Sequence, residues 1–318
     1  MVQHWIVTGG AGYIGSHLVA ALRGLKHIVT VIDDLSTGDP ARLPADVRLI
    51  EADIAESDRL MSELRGSRPS GVFHLAAKKS VKESVSCPSK YWRVNVVGTL
   101  SLLDVASQMG MTKLVFSSSA AVYGSPTRSG PVHENDALLP VSPYGTSKLA
   151  AEMAIREVCD SVGMKWISLR YFNVAGCNSP LLADRGGETL LPRLAESVLS
   201  GEPAEIFGID YPTPDRTAVR DYVHVQDVVD AHLRAMAALS EGVSDVYNIG
   251  RGVGISVWQI VREMLQAGNS STEPVTRPRR AGDVAAIWAD VDKAREHLGW
   301  TATRGIGHMV LDEVRARS

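Results

Sequence analysis

The sequence predicts an α/β fold: a doubly wound parallel sheet joined to a smaller, mixed C-terminal lobe. Three observations predict it. In the first half, short continuous apolar runs alternate with amphipathic stretches, the pattern of parallel strands covered on both faces by helices. A glycine-rich turn joins the first apolar run to the first amphipathic stretch. Beyond residue 173 the alternation stops, and Gly, Pro and charged residues dominate up to residue 222.

The first strand is Trp5-Ile6-Val7, ending in Thr8-Gly9, and the helix after it carries Ile14, Leu18, Ala21 and Leu22 on one face. Strands follow at 27–32, 47–50 and 71–75, with a helix near 56–65 before the last of them. A long helix is expected at 90–109, a fifth strand at 113–117, a helix at 143–162 and a sixth strand at 166–170. Residues 174–222 hold one helix near 189–200 and otherwise read as loops, either plain surface or a small ligand-covering lobe. A helix at 223–239, a strand at 246–249, a helix at 256–267, a basic loop at 277–283 and two short terminal helices complete the chain.

The 318 residues are enough for about two domains, and 45% hydrophobic with 22% charged residues is ordinary for a folded globular chain. A net charge of -3 supplies no broad basic field, so nucleic acid is not an expected partner. Cys87, Cys159 and Cys177 lack CxxC or metal-like spacing and read as reduced thiols; no metal is expected. No run approaches about 18 consecutive apolar residues, so no membrane span is expected. Met1 stands close to the first strand with no cleavable leader between, and a cytoplasmic protein is the expectation.

Thr8-Gly9-Gly10-Ala11-Gly12-Tyr13-Ile14-Gly15 sits between a strand and a helix, the context in which such glycines bind a dinucleotide. Gly9 permits the tight turn, Gly12 lets a diphosphate approach the backbone, and Gly15 lets the helix pack on the sheet. The helix N-terminus, with Tyr13 and Ile14 in its first turn, offers N–H groups and a partial positive charge. Asp33 ends the second strand, eighteen residues after Gly15, where a carboxylate binds the adenine ribose and repels a 2′-phosphate. That favours NAD over NADP and makes the fold Rossmann-type. Asp53 follows the third strand, either beside the adenine or as a cap of the next helix.

Tyr144 and Lys148 stand four residues apart at the start of a helix, so phenol and ammonium share a face. Free tyrosine titrates near about 10, and a cation at about 4 Å in a protected site contributes a few kcal/mol, about two to three pKa units. With the positive nicotinamide added, Tyr144 becomes a base able to accept a hydroxyl proton near neutrality. Ser119, just past the fifth strand, is expected to hold the reacting oxygen beside Tyr144.

With these residues in hand, the chain resembles the extended short-chain dehydrogenase/reductases, and among them the UDP-glucose 4-epimerase family. The likeness runs from Thr8 to about Trp300. It rests on TGGAGYIGSH at 8–17, HLAAKKSV at 74–81, NVVGT at 95–99, SSSAAVYG at 117–124, SPYGTSK at 142–148, RYFNVAG at 170–176, VRDYVHV at 219–225 and RRAGD at 279–283. It implies a dinucleotide-binding domain from 1–173 with 223–248, and a UDP-sugar-binding lobe from 174–222 with 249–318. The cofactor set it implies adds Ile54, Leu75, Ala76, Lys79, Asn95 and Tyr171 to the residues above, Tyr144 and Lys148 included. The substrate set is Lys79, Ser119, Ala120, Tyr144, Asn173 and Thr189, with Leu190, Phe207, Arg220, Arg280 and Asp283 on the UDP portion. Arg220 and Arg280 suit a diphosphate through charge-assisted forks. The implied reaction inverts C4 of a UDP-hexose: Tyr144 takes the 4-hydroxyl proton, NAD takes the C4 hydride, and the flat 4-keto sugar turns and receives the hydride on its other face. A homodimer through the helices near 90–109 and 143–162 is also implied, with Val94, Val97, Leu102, Val105 and Leu149 as its apolar positions or as core.

Three positions depart from the family pattern. Ile287 stands where some relatives carry Tyr, Thr189 where they carry Asn, and Arg216 where they carry Gly. Together with Asp184-Arg185, these leave the sugar open. An arginine reaching C6 would suit UDP-glucuronate, and Arg185 and Arg193 are the candidates. A 4,6-dehydratase needs an acid next to the serine, whereas Ala120 and Ala121 follow Ser119. A one-way dehydrogenase would consume free NAD(H). A non-catalytic NAD-sensing regulator would have no use for Ser119, Tyr144 and Lys148 together.

Overall fold

The computed structural model describes every residue except 127–128, 188 and 281–282. Its elements run β1 (His4–Thr8), α1 (Tyr13–Gly24), β2 (Ile28–Asp33), β3 (Arg48–Glu51), α2 (Ser57–Glu63), β4 (Gly71–His74), α3 (Val81–Ser86), α4 (Pro88–Trp92), α5 (Gly98–Gln108), β5 (Lys113–Ser119), α6 (Pro143–Val162) and β6 (Lys165–Tyr171). They continue with β7 (Asn173–Ala175), α7 (Leu190–Ser200), β8 (Glu205–Phe207), β9 (Val219–His224), α8 (Val225–Ser240), β10 (Asp245–Ile249), β11 (Gly254–Ser256), α9 (Val257–Ala267), β12 (Val275–Arg277), β13 (Ala286–Ile287), α10 (Asp292–Leu298) and α11 (Ile306–Arg315). No helix among the described residues is long and apolar enough to cross a membrane.

Two compact units emerge. The first comprises Met1–Val122, Pro140–Arg170 and Val229–Tyr247; the second comprises Tyr123–Leu139, Tyr171–Val228 and Asn248–Ser318. Segments 123–139, 171–173 and 223–228 group with the second unit, beyond the boundaries read from the sequence, because their partners lie there. The Tyr123 hydroxyl donates to Asn248 Oδ1 at 2.6 Å, Asn248 Nδ2 donates to the Val132 carbonyl at 2.9 Å, and β7 pairs with β9 from Asn173↔Tyr222 to Ala175↔His224.

The first unit is built on a sheet of order β10-β6-β5-β4-β1-β2-β3, with parallel registers from β3 through β2, β1 and β4 to β5. Strand order reverses between β1 and β4, the switch point beside which open α/β sheets bind ligands. Trp5, Ile6, Val7, Val72, Phe73, Leu114 and Val115 are wholly buried, which is why these strands read as continuous apolar runs. Each such side chain contributes roughly 1.5–3 kcal/mol. Helix α6 spans the predicted 143–162; Ser142 Oγ accepts from Gly145 N at 3.1 Å and Pro143 occupies its first turn. The helix expected at 90–109 is instead α4, a π turn at Arg93–Val97, and α5.

The second unit holds strands that its sequence did not disclose: β11-β9-β13 with β7 alongside β9, and a β12-β8 pair. They are two to six residues long, too short for a clear period-2 pattern. A second core, including Leu191, Leu194, Ile206, Tyr222, Ile260, Val261, Met264 and Met309, joins α7, α9 and α11 to these strands. Two buried carboxylates brace it. Asp221 accepts from the backbone N–H groups of Arg251 (2.7 Å), Gly252 (2.9 Å) and Ala289 (3.1 Å). Asp227 accepts from Thr303 Oγ1 (3.0 Å), Arg304 N (3.0 Å) and Arg304 Nη1 (2.6 Å).

His74, at the end of β4, locks the switch point. One ring nitrogen bonds Thr8 Oγ1 on β1 and the other bonds Thr99 Oγ1 on α5, both at 2.8 Å. Burial, helped by the nearby Lys148 charge, pushes its pKa down to about 3, so the folded protein holds it neutral. Below pH of about 6.5 the unfolded chain binds a proton that the folded chain refuses, so this group lowers stability as pH falls from about 6.5 toward 3. Unfolding free energies from urea titrations at pH 7 and pH 5 should show a loss of about 2 kcal/mol that the His74→Gln variant lacks.

Candidate functional site

The glycine turn after β1 has the backbone that its sequence requires. Gly9 has φ +69°, and a Cβ there would stand 2.7 Å from Ala76 N; a Cβ on Gly15 would stand 2.1 Å from the Gly9 carbonyl oxygen. No other side chain fits either position. Gly12 N-caps α1, whose first turn holds Tyr13, edge-on to His17 at 5.6 Å, and Ile14. Asp33 is 5% exposed and accepts from Ala11 N at 3.0 Å and Leu35 N at 2.9 Å. Burial raises its pKa against those hydrogen bonds. Each carboxylate oxygen keeps a further lone pair, and the residues present fit the adenosine half of NAD.

The remaining cofactor candidates divide by what holds them. Leu75 N and Ala76 N donate to the carbonyl and hydroxyl of Thr8, at 3.1 and 3.3 Å, so this loop lies directly beside the glycine turn. Ile54 is a core side chain, 4% exposed. Asp53 Oδ1 accepts from Ala55 N at 2.9 Å, and the cap of α2 is Glu56. Asn95, on the π turn, donates to Lys78 O (3.0 Å) and Ser147 Oγ (2.9 Å) and accepts from Lys78 N (2.8 Å). It ties the loop after β4 to α6. Lys79 is exposed, whereas its neighbour Lys78, absent from the sequence reading, reaches Ser36 Oγ at 2.6 Å.

At the same carboxyl edge of the sheet, two strands along from β1, Ser119 stands at the tip of β5, and its side chain acts on the phenol of Tyr144 on α6. Ala120 opens a short turn after Ser119, and Ser119 Oγ accepts from Ala121 N at 3.2 Å. The ring of Tyr91 packs edge-on to Tyr144 with centroids 6.4 Å apart. Lys148 is 4% exposed; Nζ donates to the Ser117 carbonyl at 2.8 Å and lies 4.8 Å from the Phe116 ring centroid. Burial pushes its pKa down to about 7, opposed by Glu152. The phenol of Tyr144 shifts the other way. Burial raises its pKa, and the hydrogen bond with Ser119 opposes that only in part. The Lys148 ammonium is turned to the Ser117 carbonyl, so lysine by itself does not bring the phenol to neutrality.

In the second unit, Leu190, Arg193, Phe207 and Arg280 line one cavity of about 380 Å³. The Arg280 guanidinium lies 4.0 Å over the Phe207 ring and that of Arg193 lies 5.8 Å from it, so charge and an aromatic face are presented together. Arg193 also pairs with Glu205 at 3.4 Å, and Glu205 with Arg277 at 2.9 Å. Arg193 thus lines the cavity together with Leu190, Phe207 and Arg280. Arg185 is exposed and donates to Pro180 O at 3.4 Å. Thr189 Oγ1 donates to Asp184 Oδ2 at 2.9 Å just before α7. Arg220 lies on β9, opposite Ile255 of β11 and the buried Ile287 of β13, and its Nη1 donates to Val219 O at 2.9 Å. Asp283 is exposed, and both it and Arg220 act electrostatically on Tyr211. Ala281 and Gly282 of the RRAGD segment lie outside the described residues. Asn173 is exposed at the start of β7, and Tyr171 is 7% exposed at the end of β6. Arg216 adopts φ +65°, a region that glycine occupies at lower cost than a residue with a side chain. Among the described residues no group of His, Cys, Asp or Glu is arranged to hold a metal ion.

A dinucleotide turn at the switch point of the sheet, with a phenol, a hydroxyl and an ammonium at strand and helix ends of the same unit, defines an enzyme that moves a hydride and a proton together. Residues 5–250 match the NAD dependent epimerase/dehydratase family, and the chain belongs to that family. Among its relatives, a UDP-glucose 4-epimerase of Corynebacterium glutamicum is 43% identical over 298 residues, covering 93% of this chain and 90% of that protein. One of Streptomyces lividans is 39% identical over 315 residues, covering 98% and 95%. The crystal structure of a UDP-glucose 4-epimerase from Stenotrophomonas maltophila with bound NAD and formylated UDP-arabinopyranose matches with TM-score 0.93 at 34% identity, covering 99% of this chain and 98% of that one. That of Thermotoga maritima with UDP-glucose matches with TM-score 0.91 at 36% identity and the same coverage. The resemblance read from the motifs is therefore borne out.

Two groups at this site escaped the sequence reading. Glu152 continues the spacing of four set by Tyr144 and Lys148, a signal that was available. Arg170, its partner, sits on a different strand, and no spacing announces it. The glycine geometry yields a direct test. Gly15→Ala should lower NAD affinity at least tenfold, about 1.4 kcal/mol or more, by titration calorimetry. Gly24→Ala, at a position with nothing within 4 Å of the added Cβ, should leave affinity unchanged.

Proposed function

We propose that this protein is an NAD-dependent epimerase that inverts C4 of a UDP-hexose of the UDP-glucose/UDP-galactose type. The observation that carries the reading is Tyr144 under the influence of the Ser119 side chain with Lys148 one helical turn on, in a chain 43% identical to a UDP-glucose 4-epimerase over 93% of its length. When bound, NAD would supply the hydride acceptor and donor for C4. The chain's own residues do the rest. The glycine turn and the N-terminus of α1 hold the diphosphate, Asp33 holds the adenine ribose, and the loop from Leu75 to Lys79 closes the site from the neighbouring strand. Ser119 orients the sugar's 4-hydroxyl, and Tyr144 accepts its proton and later returns it. Lys148 stabilises the phenolate in a protected site, where charge interactions act over short range at low dielectric.

The second unit is the UDP-binding part in this reading, and the first unit the dinucleotide-binding part. Phe207 and Leu190 offer apolar surface to the nucleoside, Arg280 and Arg220 offer cations to the diphosphate, and Asp283 offers an acceptor to a ribose hydroxyl. Firm anchoring of the UDP and few contacts to the hexose let the 4-keto sugar turn between its two hydride transfers. The Glu205 pairing of Arg193 and the exposed position of Arg185 lend no support to a uronate preference.

A homodimer belongs to the same proposal. Of the apolar positions expected at its interface, Leu102 and Val105 are core, whereas Val97 is 51% exposed, as are Trp92 (43%), Leu100 (41%) and Met153 (49%) on α4, α5 and α6. Sedimentation should find a dimer that Trp92→Glu with Leu100→Glu converts to monomer; an unchanged sedimentation coefficient would remove these helices from the interface. Incubation with UDP-glucose should yield UDP-galactose without net NADH. Tyr144→Phe should cut turnover by at least about 10²-fold, the usual scale of general acid–base catalysis, while retaining NAD. Full turnover in that variant would defeat the mechanism.

A further inference from the structure

Behind Lys148, on the side away from Tyr144, α6 carries a second charged group. Tyr144, Lys148 and Glu152 are spaced by four residues and so share one face of the helix. Glu152 is 6% exposed. Its carboxylate accepts from Arg170 Nε at 3.0 Å and Arg170 Nη2 at 2.7 Å, a two-pronged clamp, and from the Ser118 hydroxyl. Arg170 is itself 3% exposed, at the end of β6. Ser118 lies between Ser117, whose carbonyl accepts a hydrogen bond from Lys148 Nζ, and Ser119, whose side chain acts on Tyr144.

Stability alone is a poor reason for such a cluster. Replacing a buried ion pair with well-packed apolar groups of similar volume is often neutral or stabilising. Electrostatics supplies a better one. A lysine taken out of water tends to lose its proton, and a neutral amine beside Tyr144 would withdraw the charge that stabilises a phenolate. We propose that Glu152, clamped by Arg170 and Ser118, is the positioning residue that keeps Lys148 a cation beside Tyr144. This rests on the reading of Lys148 as the electrostatic partner of Tyr144. The clamp has a second consequence: three donors on its oxygens keep the Glu152 side chain from swinging away from the helix face.

The titratable and charged groups around Lys148 are Tyr144 and Glu152 on its own helix, His74 on β4, and Arg170 on β6 beyond Glu152. His74 stays neutral, with its pKa near 3, and Tyr144 carries no charge until it gives up its proton. Glu152 is therefore the anion whose field opposes the burial of Lys148.

The test is a direct titration of Lys148 in the NAD-loaded protein, by NMR of 13Cε-labelled lysine with the resonance assigned from Lys148→Met. Glu152→Gln keeps the size and removes the charge. It should move the Lys148 midpoint down by on the order of one pH unit, as expected for losing one unit charge at helical-turn distance. The ratio of turnover at pH 8 to that at pH 6 should fall several-fold with it. Glu152→Asp, which restores the charge, should recover most of both shifts. If Glu152→Gln does not fold, the double variant Glu152→Gln with Arg170→Met removes both members of the buried pair, and its Lys148 midpoint should move in the same direction. An unchanged midpoint in whichever variant folds, or an equal fall in Glu152→Asp, would overturn the proposal. Failure of the unaltered protein to epimerise any UDP-hexose would instead overturn the proposed function, since the NMR midpoint reads the charge of Lys148 without turnover.

Discussion

A lysine ammonium buried at the carboxyl end of a parallel sheet is an expensive group, and much of the first unit is arranged around it. An isolated cation in a protein interior loses several kcal/mol of hydration. Lys148 recovers part of that from the Ser117 carbonyl, the face of the Phe116 ring and the field of Glu152. Each partner constrains an element: Ser117 and Phe116 set how β5 lies against α6, and Glu152 binds α6 to β6 through Arg170. Ser119 stands two residues beyond Ser117 on β5, and Tyr144 one helical turn before Lys148 on α6. The geometry of proton transfer is in this sense a by-product of where a positive charge can survive.

The switch point of the sheet is held by a contrasting device, a polar group kept neutral. His74 links Thr8 and Thr99, so β1, β4 and α5 meet at one ring. Gly9 begins immediately after Thr8, and Ala76 lies so near it that only a glycine fits. The dinucleotide turn is therefore pinned from beneath by hydrogen bonds and from the side by backbone. In the second unit, Asp221 and Asp227 do comparable work with carboxylates: each collects N–H or O–H donors from segments distant in sequence. Short strands and loops acquire a defined course because a buried carboxylate must be fully hydrogen-bonded.

Most of the first unit was legible because its signals are local. Apolar runs buried on both faces, a glycine turn between strand and helix, an acidic residue at the end of β2 and a Ser-Pro start to α6 each declare themselves within a few residues. The second unit was less legible. Strands of two or three residues carry no period, and β8 and β12 pair across some seventy residues of sequence. Thr189 was carried over as a substrate contact from the family pattern and Arg193 was named as a candidate to reach C6; only the tertiary structure shows the one hydrogen-bonded to Asp184 and the other paired with Glu205. Leu102 and Val105 were equally compatible with core and interface as apolar helix positions, and only packing assigns them to the core.

The sequence by itself determined the class of fold, the preference for NAD, and the serine, tyrosine and lysine proposed for proton transfer, because each of these depends on residue types at short fixed spacings. Tertiary structure alone holds what bears on the protonation of that group. Whether Lys148 is charged and whether Tyr144 is a base depend on burial, on a carbonyl from β5 and on an ion pair to β6. Desolvation and Coulomb fields are set by distances in space, and spacing along the chain does not encode them.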